Sequence, residues 1–109
     1  MKKFEGKTLL VLGSSTGSVD IVNYAKENGA YTIVADYYPV SQSEAKKVAD
    51  ETLEISTGDI DKLSDFIITR KVDGIFAGIS EFNLLSAMKL CEMFELPFYC
   101  SRRQWNMVE

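Results

Sequence analysis

The sequence predicts an α/β domain of three layers, in which a five-stranded parallel sheet lies between helices. Short apolar runs recur along the chain, segments with helical spacing separate them, and glycine or proline stands at many of the boundaries. Because strands alternate with helices, right-handed crossovers and the strand order 3-2-1-4-5 are expected. The chain has 109 residues, the size of one domain with one core, so residues 1–109 are expected to form a single domain.

The first strand, loop and helix are predicted near the start of the chain. Leu9–Leu12 form a continuous apolar run, as is typical of a strand that is covered on both faces. Gly13 permits a tight turn, and a hydroxyl-rich loop follows it. Ser18 is expected to cap a helix over Val19–Asn28, which ends at Gly29.

The second and third strands flank a proline-containing loop and a short helix. Tyr31–Ala35 is the second β-type run and ends at Asp36. The capping-box spacing of Ser41 and Glu44 predicts the start of a short helix. Thr52–Ile55 alternate only in part, which favours a third strand at the edge of the sheet.

The remaining elements continue the alternation. Thr57–Asp59 is expected to open a helix, and Val72–Ala77 to form the fourth strand. The next helix has an apolar stripe that should face the core, formed by Leu84, Ala87, Met88, Cys91 and Phe94. Phe98–Cys100 is the expected fifth strand, and both cysteines are expected to be buried thiols rather than a disulfide.

Composition excludes several classes of function. A formal charge of −4 disfavours a nucleic-acid or anionic-membrane surface, and no apolar run reaches the ~20 residues of a membrane-spanning helix. The N-terminus lacks the apolar core of a signal peptide, so a cytoplasmic location is expected. Without histidine, histidine-based acid–base chemistry and a Ser-His-Asp triad are excluded within this chain. The cysteines lack metal-ligand spacing, so no metal site is expected.

The parallel topology brings several polar loops to one edge of the sheet. Ligands in such folds bind beyond the carboxyl ends of the strands, where the first and fourth strands lie side by side. The groups expected there are the Gly13–Ser18 loop, Asp36 with Tyr37, Gly78–Glu81 with Asn83, and Cys100–Arg103. Glu81 could accept hydrogen bonds from a ligand or complement the dipole of the following helix. Arg102 and Arg103 could bind an anion in fork geometry or be solvated on a terminal helix.

The loop after the first strand departs from the dinucleotide-binding fingerprint. Counting from Gly13, the second and third glycine positions hold Ser15 and Ser18. Asp36 stands where a ribose-binding carboxylate would lie, and it is equally an acid that begins a surface turn. No Walker lysine closes the loop, yet backbone amides at a helix N-terminus can hold an anion. The alternatives left open are a tight packing turn and an NAD(P)-binding sensor or dehydrogenase domain.

A series of segments along nearly the whole chain matches a known domain in order and spacing. These are Leu9–Gly13, Gly29–Asp36, Ala49–Glu51, Ile55–Thr57 with Asp59, Val72–Ile75, Ser80–Phe82 and Leu96–Phe98. In these segments the chain resembles the N-terminal pre-ATP-grasp domain of ATP-grasp ligases. The branch it resembles is similar to the carbamoyl-phosphate synthase large chain.

The resemblance implies a Rossmann-like, non-catalytic substrate-binding domain, inactive alone as an N-terminal fragment. A C-terminal ATP-grasp domain of the same polypeptide would then supply ATP, magnesium and the catalytic groups. The implied substrate is a small-molecule carboxylate or amine, joined through an acyl phosphate. No catalytic residue, metal or cofactor is expected within this chain. The implied substrate-binding residues are Gly13, Ser14, Ser15, Thr16, Gly17, Asp36, Ser80, Glu81 and Asn83.

A structural or interaction domain is a third interpretation. Phe98 and Trp105 could then supply apolar surface to a second copy of the chain. The sequence therefore also allows a homodimer.

Overall fold

The computed structural model describes residues 4–13, 16–77, 81–96 and 98–99. No helix in these ranges is both long and apolar enough to cross a membrane. Strands alternate with helices along the chain in the following order: β1 (Thr8–Leu12), α1 (Thr16–Glu27), β2 (Tyr31–Asp36), a 3-10 turn (Val40–Gln42), α2 (Glu44–Val48), β3 (Glu51–Glu54), α3 (Ile60–Arg70), β4 (Gly74–Ala77), α4 (Glu81–Phe94) and β5 (Phe98–Tyr99).

The sheet is parallel, and its four longer strands lie in the order β3-β2-β1-β4. β1 is central, since Leu10 is paired with Ile33 of β2 on one side and with Ile75 of β4 on the other. The predicted α/β class and the predicted order of the first four strands are confirmed. Beyond β4, Phe98–Tyr99 pair in parallel with it as a strand of two residues. Cys100, the last residue of the predicted fifth strand, lies outside the described residues.

The sheet divides the core in two, because successive side chains of a strand point to opposite faces. On one face Leu10 packs with Leu63 of α3 and Leu90 of α4. On the other face Leu9 packs with Val22 of α1 and with the buried alanine of α2. Helices therefore cover both faces, in three layers, and leave the ends of the strands to form a site.

The segment before β1 packs against the end of α1. Gly29 has a φ of 91°, as expected of the predicted helix stop. A Cβ at this position would lie 2.9 Å from the Cα of Glu5, so only glycine lets the two segments approach. The N–H of Phe4 donates to the carbonyl of Asn28 at 2.8 Å. The buried Phe4 ring meets Phe76 of β4 edge to face, with centroids 6.2 Å apart.

The helix caps differ in part from the prediction. α1 begins at Thr16, so Ser18 lies buried inside its first turn rather than at its cap. α2 is capped by Ser43, whose hydroxyl accepts the N–H three residues further on at 3.1 Å. The predicted cap, Ser41, lies in the preceding 3-10 turn, which a proline in extended conformation introduces. Asp59, the last residue of the Thr57–Asp59 segment expected to open this helix, caps α3.

The boundaries of β3 and β4 differ by one or two residues from the prediction. β3 covers Glu51–Glu54 rather than Thr52–Ile55, and it pairs only with β2, at the predicted edge. β4 begins at Gly74. The preceding residue, Asp73, binds the start of β1: the N–H of Asp73 donates to the carbonyl of Thr8 at 2.7 Å, and the carboxylate of Asp73 accepts the N–H of Thr8 at 2.8 Å.

The apolar stripe of α4 was predicted wrongly at one position. Ala87, Leu90 and Cys91 are buried, whereas Met88 is 53% exposed. Met88 lies about 100° around the helix from Ala87, so it turns away from the sheet and Leu90 takes its place. Cys91 is a free thiol, as predicted, and burial raises its pKa to about 11. The side chain of Leu84 lies outside the described residues.

Candidate functional site at the carboxyl ends of the strands

The three central strands end at one edge of the sheet. Leu12 is paired with Ala35 of β2 and with Ala77 of β4, so the chain leaves all three strands at the same level. Gly13 turns out of β1 with a φ of 98°, a conformation that favours glycine. Its N–H donates to the carbonyl of Ala35 at 2.9 Å, which holds this turn beside Asp36. The topology thus forms the crevice that parallel sheets use for ligands.

Two helices begin at this crevice. Thr16 and Gly17 start α1, and Glu81 and Asn83 lie in the first turn of α4. Because α1 follows β1 and α4 follows β4, the unpaired N–H groups of both helices face the ligand edge. Helix N-termini favour anions such as phosphate or carboxylate. The predicted site residues Ser14, Ser15 and Ser80, and the Cys100–Arg103 segment, lie outside the described residues.

Asp36 ends β2 and is engaged within the protein. The residue is 5% exposed, and its Oδ1 accepts the N–H of Tyr38 at 2.9 Å. The same oxygen lies 3.1 Å from the Nζ of Lys46. The sequence placed Asp36 correctly at the end of the strand. The sequence did not predict that one carboxylate oxygen of Asp36 binds Tyr38 and Lys46 within the protein. These contacts weaken the hypothesis that Asp36 binds a ribose.

Lys46 is the residue of this region that the sequence did not reveal. Its side chain is fully buried, and its ammonium group donates to the carbonyls of Asp36, at 3.0 Å, and Tyr38. The neighbouring Lys47 is 46% exposed in its side chain and pairs with Glu44 at 3.2 Å. In the sequence the two lysines are adjacent and chemically identical. The only available signal was the nearby acid at the end of β2.

The loop that Lys46 holds carries the stacked rings of Tyr37 and Tyr38. Their centroids lie 4.2 Å apart at an interplanar angle of 30°, and the hydroxyl of Tyr37 donates to that of Tyr38 at 2.8 Å. The residues are 64% and 41% exposed. The hydrogen bond to Tyr38 raises the pKa of the Tyr37 hydroxyl, so this phenol is uncharged near neutral pH.

A second polar cluster lies at the opposite end of β2, away from the crevice. Arg70 contacts both carboxylate oxygens of Glu51 at 2.5 Å, and Tyr31 donates to the same carboxylate at 2.8 Å. The guanidinium group lowers the pKa of Glu51. Next to this cluster, a shallow groove of about 490 Å³ is lined by Ile55, Lys62, Asp65, Phe66, Thr69 and Arg70. It lies along α3, outside the predicted site.

The described residues contain no group of three or more His, Cys, Asp or Glu side chains placed to hold a metal ion. The prediction that no metal binds in this chain stays a prediction. The groups that the crevice does offer are backbone N–H donors, a carboxylate and aromatic rings.

No family model and no curated protein matches the sequence. Solved structures, however, match over most of the chain. N5-carboxyaminoimidazole ribonucleotide synthetase from Thermotoga maritima matches 84% of this chain at 23% identity with a TM-score of 0.68, over 24% of its own length. Phosphoribosylglycinamide synthetase from Anaerococcus prevotii matches 82% at 22% identity with a TM-score of 0.69, over 22% of its length.

A third structure is the biotin carboxylase domain of 2-oxoglutarate carboxylase from Hydrogenobacter thermophilus, a dimer with ADP, magnesium and bicarbonate. It matches 84% of this chain at 23% identity with a TM-score of 0.68, over 22% of its length. All three are ATP-grasp ligases, and the matching part is their N-terminal domain. This chain has the pre-ATP-grasp fold. The chain spans about a quarter of the length of the structures it matches.

Proposed function

We propose that this chain is the N-terminal, substrate-binding domain of an ATP-dependent ligase. The observation that supports the proposal most is the pre-ATP-grasp fold, with its crevice between the ends of β1 and β4. A C-terminal ATP-grasp domain of the same polypeptide would supply ATP, magnesium and the catalytic groups. The carbamoyl-phosphate-synthase-like branch and the cytoplasmic location are part of the proposal.

The proposed reaction joins a carboxylate to an amine through an acyl phosphate. The carboxylate oxygen attacks the terminal phosphorus of ATP, which forms the acyl phosphate and releases ADP. The amine then attacks the acyl carbon, and phosphate leaves as the carbon–nitrogen bond forms. In this scheme the chain binds and orients one reactant, while the partner domain performs the chemistry.

Each wall of the crevice has a proposed role. The turn at Gly13 and the start of α1 offer N–H donors to an anionic group of the substrate. Glu81, in the first turn of α4, would accept hydrogen bonds from an ammonium or amide group. Such a pair of contacts suits a molecule with an anion at one end and an amine at the other. The ribonucleotide and the phosphoribosyl compound in the names of two matching enzymes carry such an anion, the phosphate group.

The test compares two glutamates of the same helix in the complete gene product. ATP-dependent release of phosphate is measured with bicarbonate, glycine and phosphoribosyl amines. Glu81→Ala is expected to lower kcat/KM about tenfold or more, the loss of a hydrogen bond to a charged group. The matched control is Glu92→Ala, an exposed position near the other end of α4, which should leave the rate unchanged.

Both variants are expected to keep the free energy of unfolding of the native protein. Unchanged kinetics in Glu81→Ala would remove this residue from the site. Sustained ATP hydrolysis by residues 1–109 alone would contradict the non-catalytic role, and so would a complete product with no ATP-dependent activity on the whole panel.

The alternative function, an NAD(P)-binding sensor or dehydrogenase domain, is separated by calorimetry. Micromolar binding of NAD or NADP that Asp36→Ala abolishes would favour it. The contacts of Asp36 with Lys46 and with the Tyr38 N–H argue against it, because they already use one carboxylate oxygen.

The predicted homodimer is tested by sedimentation over a range of concentrations, where a strict monomer counts against it.

A further inference from the structure

The loop that follows β2 is fixed from inside by a single ammonium group. The Nζ of Lys46 contacts three acceptors: the Oδ1 of Asp36 at 3.1 Å, the carbonyl of Asp36 at 3.0 Å and the carbonyl of Tyr38. An ammonium group has three N–H donors, so all of them have partners here. The N–H of Tyr38 closes the same loop through the carboxylate of Asp36. The backbone from Asp36 to Tyr38 is therefore held in one conformation.

This internal contact is an unusual way to stabilise a small domain. Removing two charges from water is costly, and a well-packed apolar pair of similar volume often gives equal or greater stability. A buried ion pair can instead hold neighbouring groups in one geometry, and this role accounts for its presence without a gain in stability. In this loop the geometry that they fix is the position of the Tyr37 and Tyr38 backbone.

The two tyrosine rings are arranged before any ligand arrives. They stack with centroids 4.2 Å apart, and a 2.8 Å hydrogen bond joins their hydroxyl groups. One face of each ring packs against the other ring, yet Tyr37 is 64% exposed and Tyr38 is 41% exposed. A surface that is already ordered loses little side-chain entropy on binding. The rings follow directly after Asp36, at the strand end that the Gly13 turn also borders.

We propose that the Tyr37–Tyr38 pair is an aromatic wall of the crevice, against which a planar heterocyclic ring of the substrate stacks. The inference rests on the proposed function and narrows its substrate class to amines or carboxylates that carry such a ring. The aromatic rings are flat and exposed, and the charged side chains that hold the loop, Lys46 and Asp36, are buried. An uncharged flat surface suits a π-system better than a phosphate or a flexible aliphatic chain.

The test measures binding to the chain itself by NMR, with carbon-13 in the tyrosine rings. The probes are AMP and aminoimidazole carboxamide ribonucleotide, with ribose phosphate as the control that lacks a ring. Both heterocycles are expected to shift the Tyr37 and Tyr38 resonances and to transfer saturation to them. Ribose phosphate should leave these resonances in place and bind roughly threefold to tenfold more weakly, the range of an aromatic stacking contact.

The double variant Tyr37→Ala, Tyr38→Ala should bind all three probes with the affinity of ribose phosphate. Its matched control is Tyr31→Ala, a 41% exposed tyrosine at the other end of β2, which should bind as the native chain does. Equal affinity for ribose phosphate and the heterocycles would overturn the inference, as would no shift at Tyr37 and Tyr38 with millimolar heterocycle. Because ring contact is read directly, the outcome is independent of ATP-dependent activity in the complete product, which tests the proposed function separately.

Discussion

A carboxylate–cation pair lies near each end of β2, and the two pairs differ in burial, in geometry and in the elements that they join. At the end near the crevice, Asp36 and Lys46 are buried, and the ammonium group also serves two backbone carbonyls. At the other end, Glu51 and Arg70 make a bidentate contact with side chains 23% and 40% exposed. The Glu51–Arg70 pair has the better fork geometry, whereas the Asp36–Lys46 pair is more deeply buried.

We expect burial, rather than fork geometry, to decide how much stability is lost when one partner of an ion pair is removed. Near water, a bidentate pair replaces hydration that each partner would otherwise keep, so the net gain is small. In the interior no water can replace a lost partner, and breaking the pair leaves a charge without compensation. The exposed pair joins β3 to α3, while the buried pair shapes a loop of the candidate site. Four experiments can break or sharpen this comparison.

The largest effect is expected from Lys46→Met, which removes the ammonium group and keeps much of the side-chain volume. Asp36 and two backbone carbonyls would then be buried without the ammonium group that they share, at a cost of about 3–5 kcal/mol in the free energy of unfolding. Urea denaturation at neutral pH measures this difference.

The matched control is Lys47→Met, one residue further along α2, where the change should stay below about 0.5 kcal/mol. The double variant Lys46→Met, Asp36→Leu should regain much of the loss, because neither charge remains buried. Similar effects of the two lysine substitutions would show that the contacts of Lys46 contribute little in solution.

The next effect concerns the helix that positions Lys46. Ser43→Ala removes the cap of α2 and is expected to cost about 1 kcal/mol. Ser41→Ala, at the exposed position that the sequence suggested as the cap, is the control and should change stability little. A larger loss in Ser41→Ala than in Ser43→Ala, again by urea denaturation, would contradict the cap observed here.

The Glu51–Arg70 pair is expected to make the free energy of unfolding depend on pH. The hydrogen bond from Arg70 lowers the pKa of Glu51 below its ordinary value of 4.5, so the pair stabilises the fold above that pH. The contribution is lost as the pH falls through the lowered pKa, where the folded protein takes up the proton. The difference in unfolding free energy between native protein and Glu51→Gln should therefore be constant near neutral pH and shrink below about pH 4.5. A difference that grows in acid would reverse the assigned sign.

The smallest effect separates the two donors to Glu51. Arg70 is the larger cause of its lowered pKa, and the Tyr31 hydroxyl is a smaller one. NMR titration of the Glu51 carboxyl carbon should show an upward shift of its pKa in Arg70→Gln, and a smaller upward shift in Tyr31→Phe. A reversed order would mean that Tyr31 is the principal donor in solution.

The fold was predictable where a local pattern is tied to one backbone state. The apolar run Leu9–Leu12, the stop at Gly29 and the start of α3 after Thr57–Asp59 each depend on chemistry within a few residues, and each was predicted correctly. The caps at Ser18 and Ser41 were not, because several neighbouring hydroxyls could serve and the turn before each helix decides among them. In α4, apolar residues occur nearly all round the helix, so periodicity alone did not distinguish Met88 from Leu90.

The candidate site was predictable in its location but not in its internal contacts. Topology alone places Gly13 and Asp36 at the same edge, since parallel strands all end there. The partner of Asp36 could not be predicted, because Lys46 and Lys47 have the same local sequence signals. The two lysines differ in burial because α2 packs against α1 and β2, and a short sequence segment does not reveal that packing.

The docking of Phe4 has a practical meaning for anyone who isolates or fuses this domain. Its ring contacts both Tyr24 and Phe76, with centroids 6.3 and 6.2 Å away, so it belongs to the core below α1. A boundary chosen from the regular elements alone would begin at Thr8 and remove that ring. A protein trimmed in this way would expose the Phe76 side of the sheet and be prone to aggregate. A trimmed form of the domain should therefore keep Phe4, ahead of the first strand.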